Sequence, residues 1–216
     1  MLEEWLNNLM IQKIKEYARQ GIYENVIDIG GKDGKYSRKV AKNLTVVDHN
    51  PQEISLDINY IKKDIWEFDT AEKFDLVVCS AFMEHFTKKE GILILKKINK
   101  FLSKKGLAYI SCPNAWSLNR ILGEFMGFGG ALDLSEGDIK VGHKYLYNLS
   151  RLEDSAKKCL KFINSGSYFF KPLPSDDMNT LFDNKAFQQF ALINSQNCPQ
   201  LKHYLAEIYV IGEKKS

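Results

Sequence analysis

The chain has only four cysteines, Cys79, Cys112, Cys159 and Cys198, and no two of them stand in a C-x-x-C pair. That spacing excludes a cysteine-built metal knuckle or a disulfide-stapled scaffold, and three of the four lie in apolar surroundings that suit reduced thiols and a cytoplasmic setting. Proline is scarce as well, five in 216 residues, and no collagenous or low-complexity stretch occurs. No apolar run approaches the roughly 20 residues that span a bilayer. The first residues carry Glu3 and Glu4 instead of a basic signal region, so no membrane partner and no secretory leader is expected. Net charge is nearly absent, with 30 basic against 27 acidic residues, and the scattered lysines form no stripe for nucleic acid. No Ser-His-Asp constellation or metal-ligand cluster stands out either. What remains is a chain 44% hydrophobic, long enough for one sizeable core, which predicts a single domain over residues 1–216.

The centre of the sequence signal is Val26-Ile-Asp-Ile-Gly-Gly-Lys-Asp-Gly-Lys-Tyr36. Val26, Ile27 and Ile29 suit a buried parallel strand, and Gly30, Gly31 and Gly34 interrupt it where a helix should open. Glycines let backbone approach a ligand closely, and the free N–H groups of a first helical turn face whatever polar group lies there. Before this unit, Leu2 to Tyr17 carries an apolar stripe at helical spacing, an N-terminal helix within residues 1–20. After it the pattern predicts a helix over Tyr36 to Asn43 and a strand over Leu44 to Val47 that ends on Asp48. That carboxylate stands twenty residues beyond Asp28, where it can accept both hydroxyls of a ribose; a plain turn role before His49, Asn50 and Pro51 is the alternative.

Short strands then appear at Tyr60 to Ile61 and Phe74 to Ser80, so Asp48, Asp64 and Ser80 all fall at carboxyl ends of strands. Thr87 and Glu90 form a capping box that opens a helix over Lys88 to Leu102, with Lys104, Lys105 and Gly106 as its stop and Leu107 to Ser111 as the next strand. Cys112, Pro113 and Asn114 break that strand. A second capping box, Ser150 to Glu153, opens a further helix, and strands are expected at Phe162 to Phe170 and Ala206 to Gly212. Strands alternating with helices mark an α/β sheet, whose ligands sit at the carboxyl ends of the strands.

In order and spacing these pieces resemble the class I S-adenosylmethionine-dependent methyltransferases, in particular the small-molecule type 11 and type 23 methyltransferase domains. The resemblance rests on Asp28-Ile-Gly-Gly-Lys-Asp-Gly34, Asp48, Lys63-Asp64-Ile65, Phe74 to Ser80, Met83-Glu84-His85-Phe86, Leu102 to Leu107, Cys112-Pro113-Asn114 and Gly142-His143. It implies a Rossmann-like seven-stranded sheet of order 3-2-1-4-5-7-6, the last strand antiparallel, with helices on both faces. It also implies S-adenosyl-L-methionine as cofactor, held by Asp28, Gly30, Gly31, Lys32, Gly34, Asp48, His49, Asp64, Ile65, Cys79 and Ser80. One departure stands out: Lys32 occupies the position of the usual middle glycine, and positive φ there would cost about 1 kcal/mol.

The implied reaction is methyl transfer by in-line displacement to a small-molecule acceptor, an oxygen nucleophile, in a monomer or homodimer. His85 is the candidate base and His143 its partner in the same cavity. The acceptor side falls to the segments 114–149 and 171–203. Some quinone-biosynthesis relatives hold a metal with Glu-x-x-Glu-His, but Ala81 stands at the first ligand here; two ligands remain, and no metal is expected. Two alternatives stay open, a catalytically silent member that keeps the fold for binding, and a nicotinamide-dependent oxidoreductase, whose G-x-G-x-x-G fingerprint Gly30, Gly31 and Gly34 do not match.

Overall fold

A computed structural model describes residues 2–17, 21–173, 175–182, 184–197 and 199–215. Seven strands, β1 (Tyr23–Ile29), β2 (Ala41–Asp48), β3 (Ile58–Lys62), β4 (Phe74–Ser80), β5 (Leu102–Pro113), β6 (Lys161–Tyr168) and β7 (Glu207–Glu213), form one sheet in the order β3-β2-β1-β4-β5-β7-β6. Neighbours from β3 to β5 pair in parallel, whereas β7 runs antiparallel to both β5 and β6. This is the expected topology. The reversal of β7 has a chemical consequence: its first residue, Glu207, reaches the edge where the parallel strands end.

Alternation along the central strands divides the core into two layers, as a sheet covered on both faces requires. Ile27, Val77, Cys79 and Ile110 face one layer, and Val26, Leu76, Val78 and Tyr109 face the other. The first layer is closed by α2 (Lys88–Phe101) and α5 (Leu149–Cys159), the second by α1 (Leu2–Lys15), α6 (Ser175–Phe182) and α7 (Lys185–Asn197). In α2, Ile94, Leu95, Ile98 and Phe101 are wholly buried. Each contributes roughly 1.5 to 3 kcal/mol of hydrophobic burial, so this face and not helix propensity holds α2 in place. Its start is fixed by the expected capping box, with Thr87 N–H donating to Glu90 Oε2 at 2.8 Å and Glu90 N–H to Thr87 Oγ1 at 3.4 Å.

Several boundaries differ from the sequence pattern. The helix expected over 36–43 is a one-turn 3-10 helix, Ser37–Val40, and β2 begins at once on Ala41. Val40 and Ala41 are buried, and the pairing of β2 with β1 starts at the Tyr23 and Ala41 partners, so sheet pairing wins over helix extension. Gly106 does not stop α2, because Leu102 caps the helix in extended geometry and the chain passes straight into β5. The N-cap of α5 is Asn148, whose side chain accepts from Arg151 N–H, two residues ahead of the expected Ser150 box. The segments expected to be irregular carry α3 (Leu118–Phe125), α4 (Glu136–Lys140), α6 and α7. Cys79, Cys112 and Cys159 are free and buried, as their surroundings suggested, while Cys198 lies outside the described residues.

Candidate active site

The turn after β1 is built on three residues at positive φ: Gly30 at 72°, Lys32 at 51° and Gly34 at 68°. Gly30 donates its N–H to Val47 O at 2.8 Å and Gly34 to Gly31 O at 2.9 Å, which folds the turn back over the end of β2. Side chains are excluded at two points. A Cβ on Gly31 would lie 2.2 Å from Asp28 Cγ, and one on Gly30 would lie 2.3 Å from the Phe82 ring. Lys32 therefore occupies a left-handed conformation unfavourable for a residue with a Cβ by about 1 to 2 kcal/mol, as its departure from glycine implied.

A cavity of about 550 Å3 opens beside this turn, lined by Asp28, Gly30, Gly31, Lys32, Asp33, Ser80 and Ala81, and also by Leu6 and Met10 of α1 and by Tyr168 and Glu207. Asp28 is buried, accepts from Ser37 Oγ at 2.6 Å, and is pushed up to about 6 by burial, with Asp33 and Asp48 adding to the rise and the Ser37 hydrogen bond opposing it. Glu207 is pushed up to about 7 by burial against the lowering influence of Lys171. Three carboxyl groups against one lysine make the cavity suited to a cationic ligand.

A second cavity of similar size, about 550 Å3, shares Leu6 and Glu207 with the first. Its wall comes mainly from the 114–149 segment, through Asn114, Ser117, Arg120, Asp138 and His143, and Lys171 is the contribution of the 171–203 segment. Phe169, at φ 73°, lines it too, and Ala81, at φ 48°, lines the first. Among the described residues the three non-glycine positions at positive φ, Lys32, Ala81 and Phe169, thus all border these two cavities, the kind of place where backbone strain is concentrated.

His85 and His143 lie side by side, their rings 5.1 Å apart and edge to face, but contrary to the expectation from sequence they do not face one cavity. His143 Nδ1 lies 3.1 Å from Asp138 Oδ1, while His85 Nδ1 lies 3.3 Å from the Gly142 carbonyl. Asp138 is itself anchored by Arg120 Nη1 at 2.8 Å. Burial would raise it, but the Ser135 and Arg120 hydrogen bonds bring it down to about 2, so it stays ionised beside the imidazole. His143 faces the second cavity; His85 lines neither cavity, and burial holds it below the usual imidazole range, the His143 and Lys144 charges acting the same way. Glu84 lies beneath the pair, with Oε2 buried and without a hydrogen-bond partner, and burial pushes it up to about 8. One donor atom each from Glu84, His85 and His143 fall within 4.8 Å of one another, which adds a third potential ligand to the two counted in the sequence. A carboxyl held protonated at neutral pH is a poor ligand until a cation displaces its proton.

The remaining residues assigned to the cofactor divide clearly. Asp28, Gly30, Gly31, Lys32 and Ser80 line the first cavity, whereas Gly34, Asp48, His49, Asp64, Ile65 and Cys79 do not. Gly34 packs against Leu44 and Val46, Ile65 and Cys79 point into the core, and Asp64 accepts from Trp66 N–H at 2.8 Å. Asp48 accepts from Lys32 N–H at 3.2 Å and Asn50 N–H at 2.7 Å, tying the glycine turn to the next loop; His49 Nδ1 is 3.4 Å from it, on an exposed ring. Glu207 and the strained Ala81 were missed. The signal for Glu207 was available, since the first residue of a reversed last strand must lie at the ligand edge.

A sheet of this order, with a glycine turn after its first strand and an acidic cavity beside that turn, defines a class I methyltransferase domain. Residues 2–168 match the methyltransferase domain family, and the chain belongs to it. Members of the family use S-adenosylmethionine, and the cavity fits that cofactor, because it pairs close backbone approach at Gly30 and Gly31 with carboxyl groups for a cationic ligand. A ubiquinone biosynthesis O-methyltransferase of Rickettsia bellii is 24% identical over 129 residues, covering 54% of this chain and 53% of that protein. The chain therefore spans about half the length of the curated relatives it matches. Among solved structures, the N-methyltransferase NodS of Bradyrhizobium japonicum with S-adenosylhomocysteine shares 14% identity at TM-score 0.57, covering 96% of this chain and 85% of that one. A methyltransferase of Clostridium acetobutylicum shares 12% at TM-score 0.61, covering 99% and 92%. Both show the same fold.

Proposed function

We propose that the chain transfers a methyl group from S-adenosylmethionine to a hydroxyl of a small molecule. The observation that carries this reading is the pair of cavities that meet at Leu6 and Glu207, one under the glycine turn and the other facing His143. When bound, S-adenosylmethionine supplies a methyl on sulfur that is already activated. Asp28, Gly30, Gly31, Lys32 and Ser80 would hold it, and Asp48, which ties down the turn, would offer its remaining lone pairs to the ribose. His49 and Asp64, outside the cavity lining, would be left to the adenine side, with Gly34, Ile65 and Cys79 fixing the strands behind.

Little covalent machinery is required. The protein has to orient the acceptor in line, exclude water and remove one proton. His143, held by the ionised Asp138, takes that proton from the hydroxyl, and His85 packs against it as the positioning imidazole. This reverses the roles assigned from sequence, because His143 and not His85 faces the second cavity. The segments 114–149 and 171–203 act as the acceptor-side cover of a single domain, α3 carrying no buried residue and ending in the exposed Phe125, Met126 and Phe128. The Rickettsia relative's name favours oxygen over nitrogen as nucleophile. No metal is used, and no helix of the described residues is long and apolar enough to cross a membrane. Screening hydroxylated metabolites for S-adenosylhomocysteine release tests the proposal: turnover should appear with a hydroxyl acceptor and collapse in His143→Ala. Turnover confined to amine acceptors would refute the oxygen assignment.

A further inference from the structure

Among the described residues, Glu207 is the one carboxyl that borders both cavities. It opens β7, opposite Pro113 of β5 and Tyr168 of β6, and its side chain takes no hydrogen bond from any described residue. Glu207 is half-buried and its carboxyl lines open cavity space, and a carboxyl there with no protein partner is a candidate for meeting a ligand. Its position is informative. In a methyl transfer the sulfur of the cofactor must face the acceptor across the junction of the two cavities, and that junction is where Glu207 stands.

We infer that the Glu207 carboxylate is the group that distinguishes S-adenosylmethionine from S-adenosylhomocysteine, by facing the positively charged sulfur that only the former carries. This rests on the cofactor reading above and adds a residue to it. Methyl transfer forms the bond from the acceptor oxygen to carbon and breaks the carbon–sulfur bond, whose electron pair returns to sulfur and cancels its charge; the hydroxyl proton leaves to His143. Glu207 thus attracts the cofactor before transfer and loses its attraction afterwards, favouring release of the product. The groups that act on it are known: Lys171 draws it down, while Tyr168 of β6, Cys112 of β5 and Glu84 below the histidine pair lie close enough to feel its charge. Asp28 and Asp33 share the first cavity with it.

The test is binding, not turnover. The affinities of S-adenosylmethionine and S-adenosylhomocysteine are measured by titration calorimetry from about pH 5.5 to about pH 8.5, and their ratio is followed. The ratio cancels Asp28 and every other group that meets the ammonium and carboxylate both ligands share. The preference for S-adenosylmethionine should grow about ten-fold as Glu207 ionises through about 7, and in Glu207→Gln it should be small and flat. Lys171→Met should move the midpoint of the wild-type curve to higher pH, because a cation that lowers Glu207 is gone. A flat wild-type ratio, or an unchanged pH-dependent ratio in Glu207→Gln, overturns the inference while leaving the cofactor reading standing. Failure of both ligands to bind the wild-type protein sinks both.

Discussion

Asp48→Ala separates two roles that the structure gives to one carboxylate. Its side chain, 9% exposed, accepts Lys32 N–H at 3.2 Å and Asn50 N–H at 2.7 Å. Each such bond is worth about 0.5 to 1.5 kcal/mol net, so truncation should cost the ligand-free protein about 1 to 3 kcal/mol. For a chain of this length that lowers the melting temperature by roughly 2 to 12 °C. If the remaining lone pairs hold the ribose, affinity for S-adenosylhomocysteine should fall by a further 1 to 3 kcal/mol or so, about 5- to 150-fold. Asp48→Asn keeps one acceptor oxygen and should lose about half of each effect. Thermal unfolding reads the first term and titration calorimetry the second. A variant that melts early yet binds normally would refute the ribose role and leave Asp48 as a turn residue; one unchanged in both would refute the turn argument as well.

Lys32→Gly removes about 1 to 2 kcal/mol of left-handed strain but gains about 0.5 to 1 kcal/mol of unfolded-chain entropy, so stability should rise by about 1.5 kcal/mol at most and cofactor affinity should change little. A large affinity gain would mean that Lys32 obstructs the site. The folded Asp28 is raised to about 6, so its contribution to stability is present below the usual carboxylate range and is lost as pH rises through about 6. Asp28→Asn should flatten the stability curve between about pH 4 and about pH 6, and an unaltered curve would contradict the burial argument. His85→Ala should lower turnover several-fold and His143→Ala abolish it, both with cofactor affinity near wild type; equal full turnover in both would end the base assignment. Dialysis against a chelator should leave turnover unchanged, whereas loss that a divalent ion restores would make Glu84, His85 and His143 a metal centre.

The topology was legible because it depends on strongly patterned elements: Val26 to Ile29 and Phe74 to Ser80 carry continuous apolar runs, and Thr87 to Glu90 fixes the start of α2 through local hydrogen bonds alone. The short helix after the glycine turn was misread because its residues have helical spacing, while the pairing of Ala41 with Tyr23 is a long-range term that local pattern does not contain. Gly106 failed as a stop for a similar reason, since β5 takes up the chain at Leu102. In the site, the convergence of His85 and His143 followed from adjacent strand ends. Which imidazole faces the cavity did not, because that depends on α4 and its Asp138, in a segment with no strong periodicity. Glu207 escaped notice because a carboxylate at a strand start carries no motif; only the reversed direction of β7 gives it meaning.

The central claim is that the cavity beside Gly30 to Gly34 is a site for S-adenosylmethionine, and calorimetric titration of the protein with S-adenosylhomocysteine alongside NADH tests it most directly. Saturable binding of S-adenosylhomocysteine at one site per chain, with no heat from NADH, is the result expected. Binding of NADH in preference, or of neither, would contradict it.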